Sequence, residues 1–142
     1  MIGRINHIGI ATPSIDDSVA TYRDLLGATA AKPKFAMPEQ GVWVQFVDLP
    51  NSQLELIEPY GVDSPITAFL AKNPAGGQHH VCFEVDDILI ARDAMRERGA
   101  TVLGSGEPRM GAHGEPVIFV HPKNTGGVLV ELMQAPRGDH YA

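Results

Sequence analysis

Four residues of this 142-residue chain have the types and the setting to do chemistry together: His7, Glu55, His80 and Glu131. Each glutamate lies inside an apolar, strand-like run, Leu54-Glu55-Leu56-Ile57 and Val130-Glu131-Leu132-Met133. A carboxylate in such a run is costly unless it is paired or bound to a metal. Each histidine opens a segment of alternating polarity and stands on the face opposite the apolar one. His7 shares its face with Gly9 and Ala11, against Ile8 and Ile10; His80 shares its face with Cys82 and Glu84, against Val81, Phe83 and Val85. Two imidazoles and two carboxylates form a nitrogen-and-oxygen donor set for a divalent transition ion. An octahedral ion held by four side chains keeps two positions for water, or for a substrate that chelates through two oxygens.

The elements that must position these residues come in two copies. After the first strand, Ser14 with Asp17 three residues on resembles a capping box, and Asp16 and Asp17 suit a helix N-terminus. Ile15, Val19, Tyr22 and Leu26 recur at helical spacing, and Gly27 stops the helix. Residues 32–40 read as an irregular loop, 42–49 as a strand, Pro50-Asn51-Ser52 as a turn and 53–57 as a strand. In the second copy the strand from His79 leads through Asp86-Asp87 to a helix with Ile88, Ala91 and Met95 on one face and a stop at Gly99. Strands are expected at 101–103, 116–121 and 128–133. From His7 to Gly27 is 20 residues and from His80 to Gly99 is 19; from His7 to Glu55 is 48 and from His80 to Glu131 is 51. A period near 73 is too long for a solenoid unit. It suits a duplicated module whose two sheets combine into one curved, barrel-like sheet.

Between the copies, Ser64-Pro65 reads as a helix start, Ile66, Phe69 and Leu70 as its apolar face, and Asn73-Pro74 as its end. Ala75-Gly76-Gly77 is the expected seam. The domain organisation is therefore one domain: module one at about 3–59, a connector with a short helix at 60–78, module two at about 79–135, and a polar tail at 136–142. The remaining candidates carry ordinary readings. His79 has the opposite parity to His80 and is structural; His113, His121 and His140 fall in loop, strand-end and tail positions. Glu58 and Glu84 read as solvent-facing or secondary to the site and Glu39 as a loop residue; Cys82, on the His80 face, reads as a small buried apolar residue ahead of a pocket-lining one. Lys72, Arg109 and Lys123 read as solvated surface charges ahead of contacts to an anionic ligand.

Composition bounds the function. A hydrophobic fraction of 44% and a charged fraction of 20% are those of a soluble globular protein. A net charge of −6 argues against nucleic acid or an anionic membrane as the partner and is compatible with a cation. The lone cysteine excludes an internal disulfide and points to a reducing compartment. No apolar run approaches the ~18 residues of a membrane span, and the first strand begins too early for a signal peptide, so a cytoplasmic protein is expected.

The ordered set of motifs carries a resemblance. The His…Glu…His…Glu pattern on paired modules is similar to the vicinal oxygen chelate, or glyoxalase-like, superfamily. Within it the chain resembles the methylmalonyl-CoA epimerases over nearly its whole length. The stretches concerned are Asn6-His7-Ile8-Gly9-Ile10-Ala11, the connector from Asp63-Ser64-Pro65-Ile66 to Gly76-Gly77, His79-His80-Val81, Gly111-Ala112-His113-Gly114, His121-Pro122-Lys123, and Gly126-Gly127-Val128-Leu129-Val130-Glu131-Leu132. The resemblance implies an α+β fold of two pseudo-symmetric βαβββ modules forming a curved, incomplete eight-stranded barrel. It also implies a homodimer, a place in propionate metabolism, and interconversion of (R)- and (S)-methylmalonyl-CoA by proton abstraction and return at C2 through a metal-stabilised enolate. The ion implied is Co2+, with Mn2+, Ni2+, Zn2+ and Mg2+ as other candidates.

The family pattern carries over to His7, His80 and Glu131 as ligands, with Glu131 also a base. It departs at two places: Glu55 stands where the familiar form has glutamine, and Val44 where it has a second catalytic glutamate. The expectation is that Glu55 supplies the carboxylate that Val44 cannot, so that Glu55 and Glu131 flank the substrate. Inversion at C2 needs acid–base groups on both faces, which a twofold pair offers. The competing readings are a glyoxalase-type isomerase acting on a glutathione hemithioacetal and a metal-free binding protein on the same fold. A ring-cleaving dioxygenase needs only two histidines and one carboxylate, and Glu55 argues against it.

Overall fold

The two alternating histidine segments form the strands β1 (Ile5–Ala11) and β6 (Gly77–Val85) in a computed structural model that describes residues 1–30 and 32–136. The chain divides into two compact units. One is His7–His79; in the other, Met1–Asn6 joins the chain from His80 onward.

In the first unit, β1 is followed by α1 (Ile15–Leu26), β2 (Thr29–Ala30), β3 (Phe35–Met37), β4 (Val42–Leu49) and β5 (Ser52–Pro59). The strand order is β2-β4-β5-β1. β1 and β5 run parallel and β4 and β5 antiparallel. β2 and β3 pair with successive stretches of β4, Thr29 opposite Asp48 and Phe35 opposite Val44, so together they make one interrupted edge strand. Local chemistry sets the helix: Ser14 Oγ accepts from the Asp17 N–H at 3.2 Å, and Gly27 ends it with φ 72°, a conformation that favours glycine. Ile15, Val47 and Leu56 are buried between helix and sheet, with Val19, Tyr22 and Trp43 packed around them.

The second unit repeats the plan. After β6 come α3 (Ile88–Glu97), β7 (Arg109–Met110), β8 (Pro116–Val120) and β9 (Val130–Gln134), in the order β6-β9-β8-β7. β6 and β9 are parallel, β8 and β9 antiparallel. Asp87 Oδ1 caps α3 by accepting from the Leu89 and Ile90 N–H groups at 2.9 and 3.0 Å. Ile88, Val120 and Leu132 occupy the places that Ile15, Val47 and Leu56 hold in the first unit. A connector helix, α2 (Thr67–Lys72), ends at Asn73. Gly76 then passes so close to β1 that a Cβ there would lie 2.5 Å from the Ala11 carbonyl oxygen.

The structure corrects several local expectations. Residues 32–40 are not simply a loop: they hold β3 and a 3-10 turn at Pro38–Gln40. The strand expected at 101–103 is a single bridge, Val102 to Val120, and β7 lies outside the expected strands. All these are edge segments too short to show alternation, and their pairing comes from the neighbouring long strand. Pro65 lies in a turn ahead of α2, closed by the Thr67 N–H on the Ser64 carbonyl at 3.2 Å, rather than at the first helical position. Gly77 already belongs to β6, so the expected seam ends inside a strand.

Candidate functional site

Strand parity puts the apolar row of each sheet under its helix and the histidine row on the other face. The histidine row is the more buried one. In β1, His7, Gly9 and Ala11 are buried while Ile8 and Ile10 are half-buried; in β6, His80, Cys82 and Glu84 are buried while Val81 and Phe83 are half-buried. A polar row inside the protein needs partners, and each unit supplies them from its last strand.

In the first unit His7 Nε2 lies 3.5 Å from Glu55 Oε2, and in the second His80 Nε2 lies 3.3 Å from Glu131 Oε1. The four residues are between 1% and 7% exposed. The surroundings repeat as well. Glu55 is flanked in register by Gly9 on β1 and Phe46 on β4; Glu131 is flanked by Cys82 on β6 and Phe119 on β8. Phe46 presents its ring edgewise to His7 at 6.4 Å between centroids, and Phe119 does the same to His80 at 5.8 Å. These apolar walls hold each imidazole against its carboxylate and limit water.

Both nitrogen–oxygen separations exceed the ~2.7–2.9 Å of a tight charge-assisted hydrogen bond. They approach the ~3 Å expected between adjacent donors on one ion with bonds of ~2.1 Å. Each pair offers one imidazole nitrogen and one carboxylate oxygen, and this chemistry fits a divalent metal.

The other candidates fall elsewhere. Val44 is buried on the His7 side of β4, paired with Ile57. His79 packs edgewise on Phe69 at 5.3 Å, as its parity suggests. Cys82 is the exception: fully buried against Val117 and Met133, it places its Sγ within 4.8 Å of a Glu131 carboxylate oxygen. His121 Nδ1 accepts from the Lys123 N–H at 3.0 Å and so caps a 3-10 turn. His113 lies in the turn after Gly111, and Glu39 is exposed in its 3-10 turn. Lys72, Arg109 and Lys123 are exposed. His140 and most of the tail lie outside the described residues.

Two readings are corrected. Glu84 is not solvent-facing: it is fully buried and receives a hydrogen bond from Arg4 Nε at 2.5 Å. Glu58 is a helix anchor, its Oε1 accepting from the Ile15 N–H at 2.8 Å. Gln134 does the same for the Ile88 N–H at 3.2 Å, again from the last strand of its unit. Sequence reasoning also passed over Phe46 and Phe119. The signal was present, because Phe46-Val47 and Phe119-Val120 stand 73 residues apart, the same step as His7 to His80.

Among the described residues no helix is long and apolar enough to cross a membrane. Residues 6–119 match the Glyoxalase/Bleomycin resistance protein/Dioxygenase superfamily. The ethylmalonyl-CoA/methylmalonyl-CoA epimerase of Cereibacter sphaeroides is 57% identical over 94% of this chain and 99% of its own length. The mitochondrial methylmalonyl-CoA epimerase of Bos taurus is 51% identical, over 94% of this chain and 75% of its own length. Among solved structures, a variant of Streptomyces coelicolor methylmalonyl-CoA epimerase in complex with 2-nitronate-propionyl-CoA superposes with a TM-score of 0.86 at 36% identity, covering 96% of this chain and 97% of the other. The fold is the glyoxalase-like α+β fold that the sequence motifs imply, and the chain belongs to the methylmalonyl-CoA epimerase family of this superfamily.

Proposed function

We propose that this protein interconverts the C2 epimers of methylmalonyl-CoA, with Glu55 and Glu131 as the two acid–base residues. The observation that carries the reading is the duplication of the buried His–Glu pair, one in each unit, in a chain 57% identical to a named epimerase. One carboxylate takes the C2 proton, and the electron pair left on C2 delocalises into the thioester and carboxylate oxygens. The conjugate acid on the opposite face returns a proton to C2, inverting the centre. No electron is gained or lost, and the proton count is restored each turnover. His7, Glu55, His80 and Glu131 would together hold the divalent metal, whose chemistry would be Lewis-acid stabilisation of negative charge on the substrate oxygens. The apolar neighbours Phe46 and Phe119 keep the carboxylates poorly hydrated, so that little water has to be shed before a carboxylate oxygen reaches a carbon acid.

The finer assignments belong to the same reading. Cobalt is the native ion, the protein is a homodimer formed of one such domain per chain, and it serves propionate metabolism in the cytoplasm, where a reduced Cys82 is at home. The Cereibacter sphaeroides relative is named for ethylmalonyl-CoA as well. We extend that substrate to this chain.

The test is deuterium incorporation at C2 of methylmalonyl-CoA in heavy water, with metal-loaded protein and a Glu131→Gln variant. Exchange accompanied by epimerisation in the parent, and epimerisation lost in the variant, is the expected result. A folded, metal-loaded parent that exchanges nothing would sink the assignment and turn attention to glutathione hemithioacetals.

A further inference from the structure

Phe46, the ring that lies edgewise on His7, has a second aromatic neighbour. Phe35, half-buried on β3, stands 6.3 Å from it between centroids with the planes 38° apart. That separation is within the ~4.5–7 Å of stabilising ring pairs. The register explains the meeting. Phe35 is directly opposite Val44 on β4, so it shares the histidine face with Val44 and Phe46. A diagonal neighbour two residues along the partner strand is within reach of an aromatic side chain. Phe35, Phe46 and His7 thus form a run of rings that starts at the sheet edge and ends on the imidazole, whose Nε2 is 3.5 Å from Glu55 Oε2.

An edge strand as short as β3 is a weak platform, and this one is anchored from its other face. Lys34, one residue before Phe35 and so of opposite parity, reaches the Asp16 carboxylate in the first turn of α1 at 3.3 Å. Its Nζ lies 5.5 Å from the centre of the Trp43 ring. Gln45 Nε2 donates to the Lys32 carbonyl at 3.0 Å. The strand is therefore held on the helix side and delivers its ring to the side of the site. The second unit has a cation at this register: Arg109 is opposite Val117 as Phe35 is opposite Val44. There Phe119, the ring on His80, packs on the buried Val117 and Met133.

From this arrangement we infer that Phe35 is a positioning residue: through Phe46 it holds the His7 imidazole in the orientation that faces Glu55. A side chain in a site keeps its direction only when the side chains behind it are themselves locked by packing. Phe35 supplies that lock from the sheet edge and takes no part in proton transfer. Mere cover of Phe46 from water would contribute stability without steering the imidazole. The inference rests on the metal reading above for its effect on ion binding; the orientation of the imidazole is a property of the chain alone.

The experiment follows the His7 ring signals by NMR at fixed pH in metal-free protein, assigned by their loss in His7→Ala. Co2+ affinity by chelator competition and stability in urea are measured alongside. Three variants are compared with the parent: Phe35→Ala, Phe35→Leu, which keeps apolar cover without a ring, and Phe35→Tyr, which keeps the ring. Phe35→Ala should move the His7 signals and weaken Co2+ binding about 2- to 10-fold, the worth of one aromatic pair. Phe35→Leu should recover stability but neither the His7 signals nor the affinity, and it carries the test if Phe35→Ala does not fold. Phe35→Tyr should restore all three. In a Phe46→Leu background Phe35→Ala should add little to the loss of affinity, because the contact it removes is already gone. His7 signals that stay fixed in Phe35→Ala and Phe35→Leu, or that Phe35→Leu restores as fully as Phe35→Tyr, overturn the inference and leave the epimerase reading intact. A folded parent that binds no Co2+ overturns the cobalt reading, and the His7 signals then decide this inference by themselves.

Discussion

The two units carry the same His–Glu–Phe arrangement but build the row beside it from different material. In the first, the residues following the histidine at alternate positions are Gly9 and Ala11; in the second they are Cys82 and Glu84. The second row is filled, and it ends in a fully buried carboxylate that Arg4, from the N-terminal segment, compensates. The Gly3 and Arg4 backbones also bond the Glu84 peptide, at 2.7 and 3.0 Å. The first row is sparse, and its end is covered by the connector glycine Gly76 passing over the Ala11 carbonyl. Duplication thus preserved the groups proposed to do chemistry and let the supporting row diverge. One row is built of larger side chains than the other, and both are buried.

The comparison breaks first at its chemistry. If the carboxylates are equivalent acid–base groups, Glu55→Gln and Glu131→Gln should each reduce epimerisation by about 10²–10⁴-fold. Each should also leave deuterium exchange from one epimer only, and not the same one, when (R)- and (S)-methylmalonyl-CoA are supplied separately. Two variants that fail on the same epimer would show that one unit alone performs the proton transfer.

The same equivalence extends to the metal. His7→Ala and His80→Ala should both lower the bound ion, measured by elemental analysis after dialysis, with metal affinity weakened about 10-fold or more. An ion retained fully in either variant would assign the centre to a single unit.

The supporting rows should respond unequally. Arg4→Ala strands the buried Glu84 charge; allowing for the exposure of the Arg4 side chain, the cost is about 1–3 kcal/mol. Arg4→Ala combined with Glu84→Gln should recover part of it in urea unfolding. Gly76→Ala disturbs the other row through a close contact and an unfavourable φ of 94°, and should cost about 1–3 kcal/mol. Smallest are the paired helix anchors. Glu58→Ala and Gln134→Ala should each cost about 0.5–1.5 kcal/mol, with the shorter bond at Glu58 giving the larger loss. Equal effects would mean that the two helices are held in the same way despite the change from carboxylate to amide.

Much of this was legible in the chain itself because it is local or periodic. Alternation in β1 and β6, the caps at Ser14 and Asp87, the stops at Gly27 and Gly99, and the 73-residue step all depend on neighbouring residues and on spacing. They determine two like modules and single out His7, Glu55, His80 and Glu131. The edge strands β3 and β7 escaped, since two or three residues carry no readable period and form only because a long partner strand accepts them. Glu58 and Glu84 were misjudged for a related reason. A charged residue at a strand end reads as solvated until its partner is known, and the Ile15 amide and Arg4 lie 43 and 80 residues away. Whether a position is buried and which face of a strand is the inner one depend on contacts between segments distant in sequence. Only the tertiary structure decided those, because burial and pairing are properties of the packed chain and not of any stretch of it.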